Sequence, residues 1–175
     1  NSAREMTRNR VDSEAIVVGS LKHSNYPALD VKSLRSEFQE KSSCEAGRHI
    51  ITFCGQPLWH LDSYQETLDK LADVASETAD ETTLIYSHHP KETRTEASSA
   101  LNILKKRHDN SILNESFSNE LLFARSDLLC SCFSLACFDQ VIMNRLSPIP
   151  LGIAAFIFLD ETLLNWYKTF TKHDR

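Results

Sequence analysis

The sequence contains little glycine, with four residues in a chain of 175. A phosphate-binding loop made only of backbone amides, which needs several glycines, is therefore not expected. Neither the GxGxxG motif of dinucleotide-binding folds nor the GxxxxGK[ST] motif of P-loop proteins occurs. No serine stands in the GxSxG context of a hydrolase nucleophile. These absences argue against a dinucleotide-dependent dehydrogenase, a P-loop enzyme and an α/β-hydrolase.

The sequence also lacks an excess of basic residues and a long apolar run. Its 19 Lys and Arg against 24 Asp and Glu give a formal net charge of −5, which argues against a general nucleic-acid binder. The longest apolar run, residues 149–159, is well short of the roughly 20 residues that a membrane-spanning helix needs. The first ten residues are polar and basic, so no secretory signal is predicted. We expect a cytoplasmic protein.

The five cysteines form no CxxC pair and no His/Cys spacing typical of zinc sites. We interpret them as reduced, buried thiols, which suits a reducing compartment. The adjacent pair His88 and His89 has no Asp, Glu or His partner at a ligand spacing. No metal site is predicted.

Length and composition indicate one globular domain, since 41% hydrophobic and 25% charged residues are ordinary for a soluble protein. Residues 1–14 are polar and are expected to be a lead-in or linker, and residues 15–175 form the domain. The chain has no initiator Met and runs quickly into an apolar segment. We therefore expect it to be part of a longer polypeptide.

Short apolar runs alternate with amphipathic segments along the chain. The runs predict six strands, at residues 15–18, 49–53, 82–86, 111–113, 128–131 and 149–158. The amphipathic segments predict helices at residues 31–39, 62–77, 93–107, 119–125, 135–145 and 161–170. Helix caps are expected at Asp30, at Asp62 or Ser63, and at Ser118 and Ser134. This alternation predicts a three-layer α/β/α sandwich around a mainly parallel, Rossmann-like sheet.

The strand at residues 128–131 leads directly into the helix that Ser134 would cap. In an open α/β sheet an anionic ligand binds at such a junction, because backbone N–H groups and the helix dipole point at it. Ser131 and Ser134 are therefore candidate phosphate ligands, and plain capping is the alternative. Asp139, in the same helix, could reach a ribose diol, although a lone carboxylate there is more often solvated.

His88, His89 and Pro90 follow the third predicted strand. An imidazole there can donate a hydrogen bond to phosphate, more strongly when it is protonated. His89 is the better candidate, because His88 should point to the opposite side of an extended segment. Pro90 ends the strand, and Lys91 adds positive charge.

Glycine-containing pairs end the first two predicted strands: Gly19 with Ser20, and Gly55 with Gln56. Glycine lets a backbone approach a ligand closely, although turns also require it. Both pairs are candidate nucleotide contacts.

Taken in chain order, four segments resemble the carboxyl-terminal, nucleotide-binding half of GT-B-fold glycosyltransferases. The resemblance is to bacterial sialyltransferase-like and capsule- or lipopolysaccharide-type enzymes. The matching segments are IVVGS at 16–20, ITFCGQPL at 51–58, HHPKE at 88–92, and ARSD at 124–127 leading to Phe133 and Ser134. The resemblance covers roughly residues 15–160, and its most specific motif is the His-Pro pair.

The resemblance implies that His89 is a catalytic residue that contacts the donor's phosphate and stabilises its charge as it leaves. Ser134 would hold the same phosphate, and Asp139 matches a Glu that binds the nucleotide ribose. Two departures stand out: Leu135 replaces a second hydroxyl residue, and Asp139 is one methylene shorter than Glu. The implied reaction transfers a sugar from a CMP- or UDP-sugar to a glycan or lipid of a surface polysaccharide, without a cofactor.

In the resembling enzymes the acceptor site and usually the catalytic base lie in an amino-terminal domain, which residues 1–175 do not include. The resemblance therefore implies a partner domain, and it allows peripheral membrane association at the inner face through that domain. Two alternatives stay open: a half-domain of a non-hydrolysing nucleotide-sugar epimerase, and a non-catalytic α/β binding module. The missing second hydroxyl after Ser134 favours the second.

Overall fold

The computed structural model describes residues 21–42 and 44–171. A five-stranded sheet in the order β3-β2-β1-β4-β5 forms its centre, and all neighbouring strands are parallel. The strands are β1 (His49–Cys54), β2 (Thr82–Ser87), β3 (Ser111–Leu113), β4 (Leu128–Ser131) and β5 (Ile153–Phe156). The predicted α/β class with a parallel sheet is confirmed. The predicted strand at 15–18, with Gly19 and Ser20, lies outside the described residues.

Six α-helices flank the sheet in the described part of the chain. They are α1 (Val31–Lys41), α2 (Asp62–Ser76), α3 (Arg94–Lys105), α4 (Asn119–Arg125), α5 (Leu135–Leu146) and α6 (Glu161–Thr171), with 3₁₀ turns at Leu21–His23 and Tyr26–Ala28. Helices α2, α3 and α6 pack on one face of the sheet, and α1, α4 and α5 pack on the other. The protein is thus a three-layer sandwich.

The central strands are buried on both faces, which explains their continuous apolar runs. In β2, Leu84 and Tyr86 face the α2–α3 layer, while Ile85 between them faces α1 and α4. All three are fully buried. At the sheet margin, Ile153 of β5 is 72% exposed.

The helix starts follow local capping chemistry. Three first turns are capped by the predicted side chains, Asp30, Ser118 and Ser134. The predicted cap of α2 was wrong: the helix begins at Asp62 itself, and the preceding Leu61 provides no side-chain cap.

The last strand is shorter than predicted, because Ile153–Phe156 replaces the expected 149–158. The residues before it form a turn, in which the Ser147 hydroxyl bonds both the amide and the carbonyl of Ile149. Such local side-chain bonds compete with strand pairing, and Pro150 has no amide hydrogen to donate.

The strand order reverses between β1 and β4. From β1 the chain builds β2 and β3 on one side, and then α4 carries it back so that β4 lies beside β1. In open α/β sheets, ligands bind outside the carboxyl ends of the strands at such a reversal. We call the side of the sheet that carries the loops after β1, β2 and β4 the carboxyl edge.

Candidate functional site

Parallel pairing brings most of the predicted site residues to the carboxyl edge. Gln56 follows β1, His89 follows β2, and Ser134 follows β4. Only β1 separates β2 from β4, so the strands that carry His89 and Ser134 lie about 10 Å apart. Asp139 lies farther along α5, away from the strand ends.

The imidazole of His89 is oriented by its own loop. Its Nδ1 accepts a hydrogen bond from the Lys91 amide at 3.1 Å. In the neutral ring the proton therefore lies on Nε2, which can donate to a ligand. The His89 amide donates to Glu92 Oε2 at 2.5 Å. The His89 side chain is partly buried, while Pro90 and Lys91 are exposed.

A groove of about 550 Å³ opens beside this loop, at the ends of β2 and β3. Its volume is in the range of small-molecule sites, about 300–1,000 Å³. His88 lines it, and His89 does not. The other lining residues are Glu92, Arg94, Ala97, Ser98, Leu113 and Glu115. The groove therefore combines two basic and two acidic side chains with a small apolar surface.

Glu92 is the residue of this site that sequence reasoning missed. Its side chain is buried, at 8% exposure. It accepts hydrogen bonds from Trp59 Nε1 at 2.9 Å, the Tyr86 hydroxyl at 2.6 Å and the His89 amide at 2.5 Å. The only sequence signal was its place directly after the His-Pro-Lys segment, and apolar periodicity does not single out an acidic residue in a loop.

Two buried tyrosines extend this network towards β1. The Tyr64 hydroxyl accepts from the Gln56 amide at 2.9 Å and lies 3.0 Å from the Tyr86 hydroxyl. Burial first, and then the neighbouring charge of Glu92, raises the pKa of Tyr64. Burial first, with Tyr64 and Glu92 next, raises the pKa of Tyr86. Both hydroxyls therefore stay protonated and act as hydrogen-bond donors.

The same network explains Gly55. A Cβ atom at this position would lie 2.5 Å from the Tyr86 hydroxyl and 2.6 Å from Glu92 Oε2. Glycine is therefore required by the packing of the hydroxyl and carboxylate beneath it. Close approach of a ligand, the reason considered from the sequence, is not needed to explain it.

Side chains of the domain already bind several amides at the start of α5. Phe133 N donates to Gln56 Oε1 at 2.9 Å, Ser134 N to the Ser131 hydroxyl at 2.8 Å, and Ala136 N to the Ser134 hydroxyl at 3.2 Å. Ser131 is fully buried and acts here as a structural acceptor. Because the Ser134 oxygen accepts, its hydroxyl hydrogen can still donate to a ligand.

An aromatic group lies beside this helix start. The Phe133 ring stacks on Trp166 of α6, with ring centres 5.0 Å apart and planes at 19°, and Tyr167 lies 5.5 Å away. Helix α6 thus covers the loop after β4 on the face of the sheet that also carries α2.

Asp139 is a buried, ion-paired carboxylate. It is 5% exposed, and it accepts from Lys22 Nζ and from His23 Nε2, the latter at 2.7 Å. The alternative of a solvated helix residue was therefore wrong. Tyr26 packs nearby, and burial, together with the charges of Asp139 and Glu120, raises its pKa to about 12. A ribose contact of Asp139 stays a prediction, and such a contact would have to compete with Lys22 and His23.

The five cysteines are free and buried, as predicted. Burial raises the pKa of Cys132 to about 12 and that of Cys130 well above the ordinary value. Within residues 21–42 and 44–171, no group of three or more His, Cys, Asp and Glu side chains could hold a metal ion. None of the helices described there is long and apolar enough to cross a membrane.

Comparison with protein-family models gave no match, and a search of curated proteins gave none either. A functional assignment therefore depends on the geometry of the carboxyl edge.

Proposed function

We propose that this domain binds a nucleotide-sugar at the carboxyl edge of its sheet and is the donor-binding part of a glycosyltransferase. The observation that carries the proposal is the position of α5. This helix starts directly after β4, beside the end of β1, where the order of the parallel strands reverses. That is the ligand position in open α/β sheets.

Side chains at this edge supply the donors that a phosphate requires. His89 can donate from Nε2, since its Nδ1 is an acceptor. Ser134 can donate its hydroxyl hydrogen from the start of α5, whose dipole also favours an anion. Lys91 adds a positive charge. In a sugar transfer these groups would stabilise the negative charge that develops on the leaving phosphate.

The groove next to the His89 loop is a candidate site for the nucleoside. Glu92 lies in its wall and also holds the His89 amide, so the groove and His89 adjoin each other. Leu113 offers apolar surface to a base, and Ser98 and Glu115 offer hydrogen-bonding groups. The donor would be a CMP- or UDP-sugar.

The acceptor would be a glycan or lipid of a surface polysaccharide, bound by a partner domain at the inner face of the membrane. In this proposal the present domain holds the donor, and the partner domain supplies the acceptor and the base. The domain alone is then expected to bind nucleotide without turning it over.

The proposal is tested by thermal unfolding in the presence of CMP, UDP, GDP and their sugars. We expect one nucleotide to raise the unfolding temperature, and we expect His89→Ala and Ser134→Ala to make that increase clearly smaller. The matched control is His49→Ala, because His49 is an exposed histidine at the opposite edge of the sheet. This variant should respond like the wild type. If no nucleotide stabilises the wild-type chain, the proposal is wrong.

One observation favours a non-catalytic binding module as a second candidate. The amides of Phe133 and Ser134 are already bound by the side chains of Gln56 and Ser131. Asp139 is held by Lys22 and His23. A domain that had lost its ligand would have this arrangement. In that case the absence of any nucleotide-dependent stabilisation is the expected result.

A further inference from the structure

We infer that Glu92 is a positioning residue for His89, and that a chain of buried hydrogen bonds ties the loop after β2 to the start of α5. The expected effect on ligand binding rests on the proposed function, because His89 and Ser134 are taken there as phosphate contacts. The chain of bonds itself is independent of that assignment.

The chain crosses the ends of three strands. Phe133, in the loop after β4, donates its amide to Gln56 Oε1 at 2.9 Å. Gln56, after β1, donates its own amide to the Tyr64 hydroxyl at 2.9 Å. Tyr64 and Tyr86 are 3.0 Å apart, and Tyr86 donates to Glu92 Oε1 at 2.6 Å.

The far end of the chain is the loop after β2. There the His89 amide donates to Glu92 Oε2 at 2.5 Å, and Trp59 Nε1 donates to Oε1 at 2.9 Å. Glu92 therefore joins the tyrosine pair to the backbone of the histidine.

Donor chemistry gives the hydroxyl bonds of the chain one direction. A tyrosine hydroxyl has a single hydrogen, and the hydrogen of Tyr86 is directed at Glu92. Tyr64 must therefore donate to Tyr86, and its oxygen accepts from Gln56. From Gln56 onward, every hydrogen points towards the carboxylate. Bonds aligned in one sense polarise one another, and those that end on a carboxylate are the strongest.

Burial makes the chain sensitive to the loss of any member. Tyr64 and Tyr86 are fully buried, Gln56 is 6% exposed and Glu92 is 8% exposed. Water cannot readily replace a missing partner at such positions, so removing one group leaves its neighbour unsatisfied. A change in the middle of the chain should therefore be detected at both ends.

The consequence for His89 is geometric. Glu92 fixes the amide of His89, and the Lys91 amide fixes Nδ1 of its ring. The direction of the remaining donor, Nε2, depends on both bonds. Glu92 does not need to contact the ligand itself for its loss to weaken phosphate binding through His89.

The first test uses ¹⁵N-labelled protein and Tyr86→Phe, which removes one hydroxyl and keeps the ring. The matched control is Tyr26→Phe, because the Tyr26 hydroxyl is buried and has no hydrogen-bond partner among the described residues. We expect Tyr86→Phe to shift the amide resonances of both His89 and Phe133. Tyr26→Phe should leave His89 unchanged. If Tyr86→Phe shifts neither amide, or only one, the chain does not couple the two loops.

The second test measures nucleotide affinity by calorimetry for wild type, Glu92→Gln, His89→Ala and the double variant. We expect Glu92→Gln to raise the Kd for the nucleotide that stabilises the wild type by about 3- to 30-fold, as for coupled neighbouring residues. In the His89→Ala background the same change should have almost no effect. Equal effects in both backgrounds would show that Glu92 acts on binding independently of His89, for example from the wall of the groove, and would overturn the positioning role.

Circular dichroism at the working temperature identifies the variants that are folded. If Glu92→Gln is unfolded, Trp59→Phe takes its place in the same comparison of single and double variants. This substitution removes one hydrogen-bond donor to Glu92 and keeps an aromatic ring. If wild type binds no nucleotide, the proposed function fails, and the resonance measurement alone decides whether the chain exists.

Discussion

Gln56 Oε1 accepts the amide hydrogen of Phe133 at 2.9 Å, which joins the ends of β1 and β4 where the strand order reverses. The bond lies at the strand reversal, outside which open α/β sheets bind their ligands. A phosphate at this edge would therefore depend more on side-chain donors, His89 Nε2 and the Ser134 hydroxyl, than on the amides of the helix start. That dependence agrees with the scarcity of glycine in the sequence.

Replacing Gly55 with alanine should destabilise the protein. The new Cβ would lie 2.5 Å from the buried Tyr86 hydroxyl and 2.6 Å from Glu92 Oε2. Overpacking of this kind costs about 1–3 kcal/mol, which urea unfolding can measure. The variant should also shift the His89 amide resonance, because Glu92 has to move. Gly47→Ala is the control, because nothing lies within 4 Å of a Cβ atom at that position. Any loss of stability in this variant reflects the backbone φ of +90° at Gly47, and the His89 amide resonance should not shift. An unchanged free energy of unfolding in Gly55→Ala would contradict the packing at Gly55.

Asp139→Asn should destabilise the protein by about 1–2 kcal/mol. This cost is smaller than the cost of breaking a fully buried ion pair, because Lys22 is half exposed. The side chains of Lys22 and Asp139 are 55% and 8% exposed, respectively. Lys22→Gln should cost less than Asp139→Asn, since His23 still pairs with the carboxylate. Both free energies follow from urea unfolding at neutral pH. Equal stability of Asp139→Asn and wild type would show that the ion pairs do not fasten the segment that contains Lys22 and His23 to α5.

His108 should make the protein less stable in mild acid. It is fully buried, and burial is the main cause that lowers its pKa below the ordinary 6.5. Below pH 6.5 the unfolded state therefore binds more protons at this residue than the folded state, so the free energy of unfolding falls as the pH falls. One such group changes the dependence of the free energy of unfolding on pH by up to about 1.4 kcal/mol per pH unit.

The measurement compares urea unfolding of wild type and His108→Gln between pH 7.5 and pH 5. The variant should show a flatter dependence on pH. His60→Gln, at an exposed histidine, is the control for the substitution itself. The prediction fails if wild type and His108→Gln have parallel curves.

The five thiols should be unreactive in the folded protein. All are buried and free, and burial raises the pKa of Cys44 as well as that of Cys132, which reaches about 12. Because the thiolate is the reactive form, an aromatic disulfide reagent at about pH 8 should react only slowly with the native protein. After denaturation the same reagent should react with all five thiols. A rapidly reacting thiol in the native state would contradict this burial.

The sequence alone determined the fold class and much of the element order. Strand β4 and helix α4 have the predicted bounds, Leu128–Ser131 and Asn119–Arg125. Their signals are local: a short apolar run, and a serine placed one residue before a helix. The position of His89 and Ser134 at one edge also follows from the sequence, because alternating strands and helices imply parallel pairing.

Only the tertiary structure decided which polar groups meet. Asp139 pairs with Lys22 and His23, which are 117 and 116 residues away in the chain. Tyr64 and Tyr86 occupy positions that hydrophobic periodicity assigns to the core, and their hydroxyls gain a role only because Glu92 is folded against them. Periodicity reports which side of an element is buried. The partner of a buried polar group is set by the sheet order and the packing of loops from different strands, and short stretches of sequence do not encode these.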